Sequence, residues 1–467
     1  KLKNPIVRLA GTNKEFKITY EVKSRSVKTM PKCPPGTKGQ TPGRMKGGTV
    51  NEERTEIHKL KQRPGFGDGL ITSKIFGFID RFQPKTKEEL KTKVKEWLSL
   101  SEKEKSNHKY HISNWDTSLI TDMFELFKGA KEFNDDISEW DTRKVKNMAY
   151  MFRYAENFNQ PIGSWDTSNV IDMSAMFWHA LNFNKPIGNW KTGNVINMAY
   201  MFRNAENFNK PLNTHGNNWD TRNVVDMSDM FNNAKKFNQP IGMWNTSKVR
   251  DMGGMFWGAK KFNQPIGSWN TSNVEWMEYM FENALNFNQP IEKWKTSKVE
   301  NMGGMFWGAK KFNQPLNTSG NNWDTSNVKN MIQMFWGAKK FNQHIGNWDT
   351  RKVENMERMF GLAENFNKPL NTSGNNWDTS NVKNMRKMFW GAKKFDQPIG
   401  NWDTRKVENM ERMFGLAENF NKPIGSWKTG NVKNMKDMFL FATKFNQIIG
   451  WATSDSGHFN NNALTFP

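Results

Sequence analysis

Fourteen tryptophans stand at near-constant spacing along this chain, at positions 115, 140, 165, 190, 219, 244, 269, 294, 323, 348, 377, 402, 427 and 451. The steps are 25 residues, except for three of 29 and a last of 24. Each longer step is a 25 with four residues added, in Asn-Thr-(His/Ser)-Gly-Asn-Asn stretches at 213–218, 317–322 and 371–376. A chain of 467 residues would ordinarily divide into about three domains. A repeat filling most of it predicts one elongated body instead, because each unit packs only on its neighbours.

The unit from Trp165 to Trp190 reads WDTSNVIDMSAMFWHALNFNKPIGNW. Val170, Met173, Met176, Phe177 and Ala180 are spaced 3, 3, 1 and 3 apart, the periodicity of one helix face. Asp166, Thr167 and Ser168 lie where side-chain oxygens cap a helix start. Phe183, Ile187 and Trp190 then mark an extended segment facing the core. Pro186 cannot donate to a ladder, so the pairing strand is expected after it or edged by it. One unit cannot bury its own aromatic residues, but a stack of copies can. The expectation is an α/β repeat solenoid of about thirteen coils over 111–450, each with one short parallel strand near the Ile/Leu–Trp segment and one helix. A 25-residue period lies within the leucine-rich-repeat range of about 20–29. The three insertions are expected to leave the stack as loops.

The columns of the stack read as structure. Met stands at the first helix position in all thirteen units, and at the second in twelve. Met173 and Met176 stand for these columns, where a flexible thioether fills gaps beside aromatic rings. Trp165, Trp190, Trp244 and Trp269 are expected in the core. An Asn follows the second Phe in twelve units, Asn184, Asn263 and Asn313 among them, with Asp396 in the thirteenth. Stacked amides can bond each other and the turning backbone.

Charge divides the chain unevenly. The total is +22, and residues 1–110 hold 26 Lys and Arg against 12 Asp and Glu. Residues 1–82 read as a basic arm with Gly- and Pro-rich stretches, and 83–110 as a helical N-terminal cap. There Thr86 and Glu89 form a capping-box pattern, and Leu90, Val94 and Trp97 an apolar face. Residues 451–467 are left as a C-terminal cap or tail. A basic segment implies an anionic partner. Within the arm, Lys23, Arg25, Lys28, Lys32, Lys38, Arg44 and Lys46 are the candidate contacts to an acidic protein surface, nucleic acid or anionic membrane.

No catalytic, metal or cofactor site is expected. Cys33 stands alone, and no two of the seven histidines have helical zinc spacing. No phosphate-binding loop or dinucleotide fingerprint occurs. Carboxylates recur with the repeat, whereas a catalytic site needs one asymmetric cluster. The one variable surface motif is Trp-Gly-Ala-Lys-Lys, which offers Trp257, Lys260 and Lys261; Trp307, Lys310 and Lys311; Trp336, Lys339 and Lys340; and Trp390, Lys393 and Lys394. A Trp beside paired lysines can stack on a ring and neutralise an anion. It can equally pack on the adjacent coils while its lysines stay solvated.

The pattern W-D-T-S-x-V-x-x-M-x-x-M-F-x-x-A-x-x-F-N-x-P-I resembles the BspA-like leucine-rich-repeat surface proteins over about 111–450. That family is defined by its repeat rather than by an activity, and occurs in bacterial and protist surface proteins and in proteins of large DNA viruses. Lys32-Cys33-Pro34-Pro35-Gly36-Thr37-Lys38 resembles a short element of proteins of large cytoplasmic DNA viruses. No signal-peptide pattern opens the chain. These resemblances imply a non-enzymatic minor structural protein, bridging other structural proteins in a virion shell assembled in a reducing cytoplasm. The alternative is an exported cell-surface adhesion protein that binds host matrix or glycans.

Overall fold

The computed structural model describes residues 81–212, 219–318, 321–370 and 377–451, together with the backbone of two short N-terminal strands. The chain divides into two units, Lys1–Arg81 and Phe82–Pro467. In the first, β1 (Ile6–Arg8) pairs antiparallel with β2 (Glu15–Lys17), Val7 opposite Phe16. The seven basic arm candidates, Lys23 to Lys46, lie outside the described residues, as do the insertions at 213–218 and 371–376.

The second unit opens with α1 (Lys87–Ser99) and α2 (Glu102–Asn107). Thr86 caps α1 by accepting the Glu89 N–H at 3.1 Å. The Glu89 carboxylate reaches one residue further back than a capping box requires, to the N–H of Lys85. Leu90, Val94 and Trp97 are buried and join the core of the coils.

Thirteen coils follow in a regular repeat solenoid, but the coil is not built as the periodicity predicts. Among the described residues no helix forms over any V-x-x-M-x-x-M-F segment. Each coil contributes a single bridge residue to a parallel column running from Asp122 through Asn147 and Asp172 to Asn434. That column precedes the first Met, rather than lying near the Ile–Trp segment. In place of a helix the chain makes a train of β-turns. Leu126 N–H returns to Met123 C=O, Lys128 to Glu125 and Ala130 to Phe127. The residues between bond forward into the next coil: Met123 N–H to Asn147 C=O, Glu125 to Ala149, Phe127 to Met151, and Gly129 to Arg153.

Such a train needs a positive φ at every fourth residue, as in type II turns. Glu125 (φ 59°) and Gly129 (φ 77°) begin two columns that keep this sign in every coil, in nineteen residues other than glycine and seven glycines. Each non-glycine position costs about 1 kcal/mol. The forward hydrogen bonds and the buried rings offset that cost. Helix and turn train both return a side chain to the same face every three to four residues, which is why their apolar spacing is shared.

The core holds the columns assigned to it. Trp165, Trp190, Trp244 and Trp269 are buried, as are Met173 and Met176. Trp165 and Trp190 stack at 6.4 Å with planes 1° apart. The indole N–H groups of Trp165, Trp190 and Trp269 donate to the carbonyls of Ile137, Ile162 and Ile241 in the coil before, while Trp244 Nε1 is buried without a hydrogen-bond partner among the described residues. Two phenylalanine columns stack beside them, Phe177 on Phe183 at 4.0 Å within a coil and on Phe202 at 5.5 Å between coils.

The asparagine ladder uses one atom of each amide. Asn184 Oδ1 accepts the N–H of Asn209, and Asn159 Oδ1 accepts that of Asn184, both at 3.0 Å. Asn263 and Asn313 repeat the contact. Asp396 substitutes without loss, because an acceptor oxygen is all the ladder asks of it; it takes the Asn421 N–H at 2.9 Å. A second, buried ladder runs through the Thr of each W-x-T, as where Thr167 Oγ1 donates to Lys191 C=O at 3.1 Å. Of the insertions, 317–322 folds back on itself, β3 (Asn317–Thr318) pairing with β4 (Asn321–Asn322).

Candidate interaction face

Core and ladders consume the inward side of every coil, so the outward residues of the turn train carry whatever differs between coils. The motif tryptophans lie on this side and are half-buried. They lie down on neighbouring coils. Trp257 stacks on Tyr279 at 5.9 Å. Trp336 covers Gly361, where an added Cβ would sit 2.3 Å from the ring, and meets Trp390 at 5.5 Å across that glycine. Trp390 in turn covers Gly415. Trp307 is half-buried in the same column.

The lysines of the motif, Lys260, Lys261, Lys310, Lys311, Lys339, Lys340, Lys393 and Lys394, are exposed. Where the next coil carries Glu at the facing position they pair with it, Lys339 with Glu364 at 2.7 Å and Lys393 with Glu418 at 3.1 Å. The coils at 260–261 and 310–311 face no such Glu and keep their lysine pairs in solvent. Sequence reading therefore located the exposed cations, while the rings beside them are spent on packing.

Two further clusters appear only when the turn face is read down its columns. On coils two to four, the Arg153 guanidinium lies over Trp178 at 3.9 Å, with the rings of Tyr154 at 5.1 Å and Tyr150 at 5.4 Å. Arg203 lies over the same indole at 5.2 Å, and Trp178 stacks on Tyr200 at 5.5 Å. Arg203 pairs with Asp229 at 3.1 Å. Arg153 Nε, Arg203 Nε and Trp178 Nε1 are buried donors with no hydrogen-bond partner among the described residues. Burial, and the Asp229 charge after it, push the Tyr200 hydroxyl up, so it stays a neutral donor.

Coils five to seven carry the opposite charge. Asp226, Asp229, Asp251 and Glu278 occupy neighbouring positions of the turn face. Burial raises Asp251 to about 6; the carboxylates of Asp226, Glu278 and Asp229 add to the shift, and the Gly253 N–H opposes it. Asp229 is also raised by burial, against the pull of Asn232 and Arg203. Glu282 is only 4% exposed, and burial alone lifts it to about 7.

From coil nine to thirteen cations are in excess, 20 Lys and Arg against 12 Asp and Glu over 323–450, but each arginine meets a carboxylate. Arg386 holds Glu357 at 3.0 Å and Glu411 at 3.2 Å, and Arg412 holds Asp437 at 2.9 Å. A shallow hollow lined by Lys383, Lys406, Glu408, Asn431 and Lys433 lies alongside. Its Lys433 pairs with Glu408, and its Lys383 with Glu354, both at 2.7 Å. Among the described residues no group of three His, Cys, Asp or Glu side chains is placed to hold a metal ion, and no helix is long and apolar enough to cross a membrane.

No curated protein and no solved structure matches this chain. The family described as "Mycoplasma protein of unknown function, DUF285" matches it at residues 96–215, 213–319, 317–374 and 371–463, four overlapping stretches that take in all thirteen coils. The stacked 25-residue units with their Phe and Trp columns are thus those of a DUF285 repeat protein, and the chain belongs to that family.

Proposed function

We propose that the chain is a non-enzymatic structural and protein–protein interaction solenoid that bridges other components of a large assembly, most concretely the shell of a large DNA virus. The observation that supports this reading is the division of labour within the coil. Inward columns hardly vary, while the turn-face column changes at nearly every step: Lys128, Arg153, Trp178, Arg203, Asn232, Trp257 and Glu282 follow one another at the same place. A stiff frame whose accessible rungs differ, Lys128, Arg153 and Trp178 in successive coils, suits several simultaneous contacts, whereas Asn232 and Glu282 of the same column are buried. The basic residues 1–82 anchor the frame to an acidic surface in this reading. Kinship with the BspA-like leucine-rich repeats belongs to the same proposal, supported by the period and by one stacked bridge per coil.

The test is a chain lacking residues 1–82, which keeps its solenoid and fails to enter the native assembly. Normal incorporation overturns the anchoring role. A second reading is an exported cell-surface adhesion protein that binds host matrix or glycans; the description of the matching family as a Mycoplasma protein supports a cellular source for it and nothing further. Antibody labelling of intact cells against intact particles separates the two.

A further inference from the structure

Ten arginines lie between residues 82 and 451, and nine of them meet a carboxylate. Arg153 is the exception: among the described residues it has no ion pair and its side chain donates no hydrogen bond. Its surroundings explain the difference. Arg203 finds Asp229 one coil on, at the positive-φ position of the turn train. The residue standing in that relation to Arg153 is Ala175, which has no carboxylate to give. At the next-but-one residue after each bridge, where Glu357 and Glu411 serve Arg386, coils two to four carry Ala149, Ser174 and Ala199.

The guanidinium is nonetheless held firmly. It lies over Trp178 at 3.9 Å with two tyrosine rings within 5.4 Å, and with Nε buried the terminal N–H groups are the donors left to an incoming acceptor. Stacking satisfies the face of the cation and leaves the in-plane donors to an acceptor. Both faces of the indole are taken up by Arg153, Arg203 and Tyr200, which leaves little of it for stacking on a sugar or a base. The preferred ligand is therefore a carboxylate. On coils three and four Ile171 and Ile196, each one residue before the bridge, are 43% and 48% exposed in adjacent rungs, an apolar stripe on the same coils. The acidic patch that begins at Asp226 repels an anionic chain, so the site extends from coil four toward coil one.

We propose that Arg153, clamped by Trp178 and the flanking tyrosines, is the docking point for a carboxylate side chain in an acidic, partly apolar segment of a partner protein. The proposal deepens the interaction reading above and rests on it.

The test uses the full chain and a photoreactive peptide of Glu and Leu residues, with crosslinks mapped by mass spectrometry. Crosslinks to residues 1–81 serve as the internal control, because the basic segment captures the peptide whatever becomes of Arg153. Wild type is expected to crosslink within coils one to four. R153Q reduces that yield about tenfold, the loss of one bidentate charged pair, and leaves the control unchanged. R153K keeps the charge but not the fork, and loses several-fold. Equal yields in wild type and R153Q overturn the proposal, as does R153K matching wild type, or protection of coils two to four by double-stranded DNA and not by the peptide. None of these outcomes bears on whether the chain lacking residues 1–82 enters its assembly, so the two readings fail separately.

Discussion

Coils two to four and coils nine to twelve carry the same kind of cluster on the same face, a guanidinium lying on an indole. In the first, Arg153 and Arg203 share Trp178 and have one carboxylate between them. In the second, Arg358 lies over Trp336 at 5.5 Å, while Glu357 and Glu411 close a network around it and Arg386. The frame is alike in both, down to the positive φ positions and the bridge column. The difference teaches that the repeat fixes where an outward side chain stands but not whether its charge is answered. In one cluster every arginine meets a carboxylate, and the cation left over is Lys387 above Trp390; in the other the cation left over is Arg153.

The comparison assumes a common frame, and the largest expected effect tests that assumption. Trp269→Ala, in the column shared by all coils, should cost roughly 3–5 kcal/mol, as large aromatic truncations in cores do. Trp269 is 3% exposed and its indole bond to Ile241 is lost with it. Denaturant unfolding measures the cost; a change under 1 kcal/mol would show that the columns are not the source of stability.

The acidic coils between the two clusters come next. Asp251 and Glu282 have carboxyls raised to about 6 and about 7, so the folded state binds protons that the unfolded state has released. Their contribution is fully present below about pH 4, the ordinary carboxylate range, and is lost as pH rises through 6 to 7. Hydrogen exchange over 225–283, corrected for intrinsic rate, should be slower at pH 5 than at pH 7.5. The double variant Asp251→Asn with Glu282→Gln should flatten the difference, and coils two to four should not show it.

Smaller effects distinguish the clusters directly. Gly361→Ala inserts a Cβ under the Trp336 ring and should cost about 1–3 kcal/mol, the usual range for overpacking. It should also break the stack of Trp336 on Trp390, which near-ultraviolet circular dichroism reads. Smallest in stability, at about 1 kcal/mol or less, is the pair Glu357→Gln with Glu411→Gln, because the groups are partly solvated. Its value lies elsewhere: it opens the valence of Arg386, and should create a second crosslinking region for the acidic peptide over coils nine to twelve.

The frame was legible where one kind of residue recurred. Trp165, Met173 and Asn184 declare their columns in the sequence, and each has the burial or bond expected of it. The helix was misread because Val170, Met173, Met176, Phe177 and Ala180 satisfy both helix and turn train. The signal that separates them lay in the outward residues. Gly254, Gly258, Gly304, Gly308, Gly337 and Gly391 recur at positions where a helix gains nothing from glycine and a left-handed turn does. Of the candidate face, exposed Lys260, Lys261, Lys310 and Lys311 were found from a motif within one coil. Arg153 was not, because its meaning depends on Trp178 and Ala175 in the next coil, 25 and 22 residues away. Reading down columns rather than along rows would have exposed it.

The fit of Trp336 over Gly361 has a consequence for how such a chain can lengthen by inheritance. Residues 323–370 and 377–424 are near-copies, each pairing a coil that carries Trp-Gly-Ala-Lys-Lys with one that carries Phe-Gly-Leu-Ala-Glu-Asn, and both pairs place a ring on a glycine, Trp390 on Gly415 in the second. Backbone bonding would accept the gain or loss of any single coil, since every coil offers the same donors forward and the same carbonyls back. Excising only the second coil of the pair would set Trp390 next to Trp336, an adjacency that coils eight and nine already hold with Trp307 and Trp336. The ring seated on a glycine is therefore a property of the two-coil unit, and a step of two coils copies it whole, as 323–370 and 377–424 do.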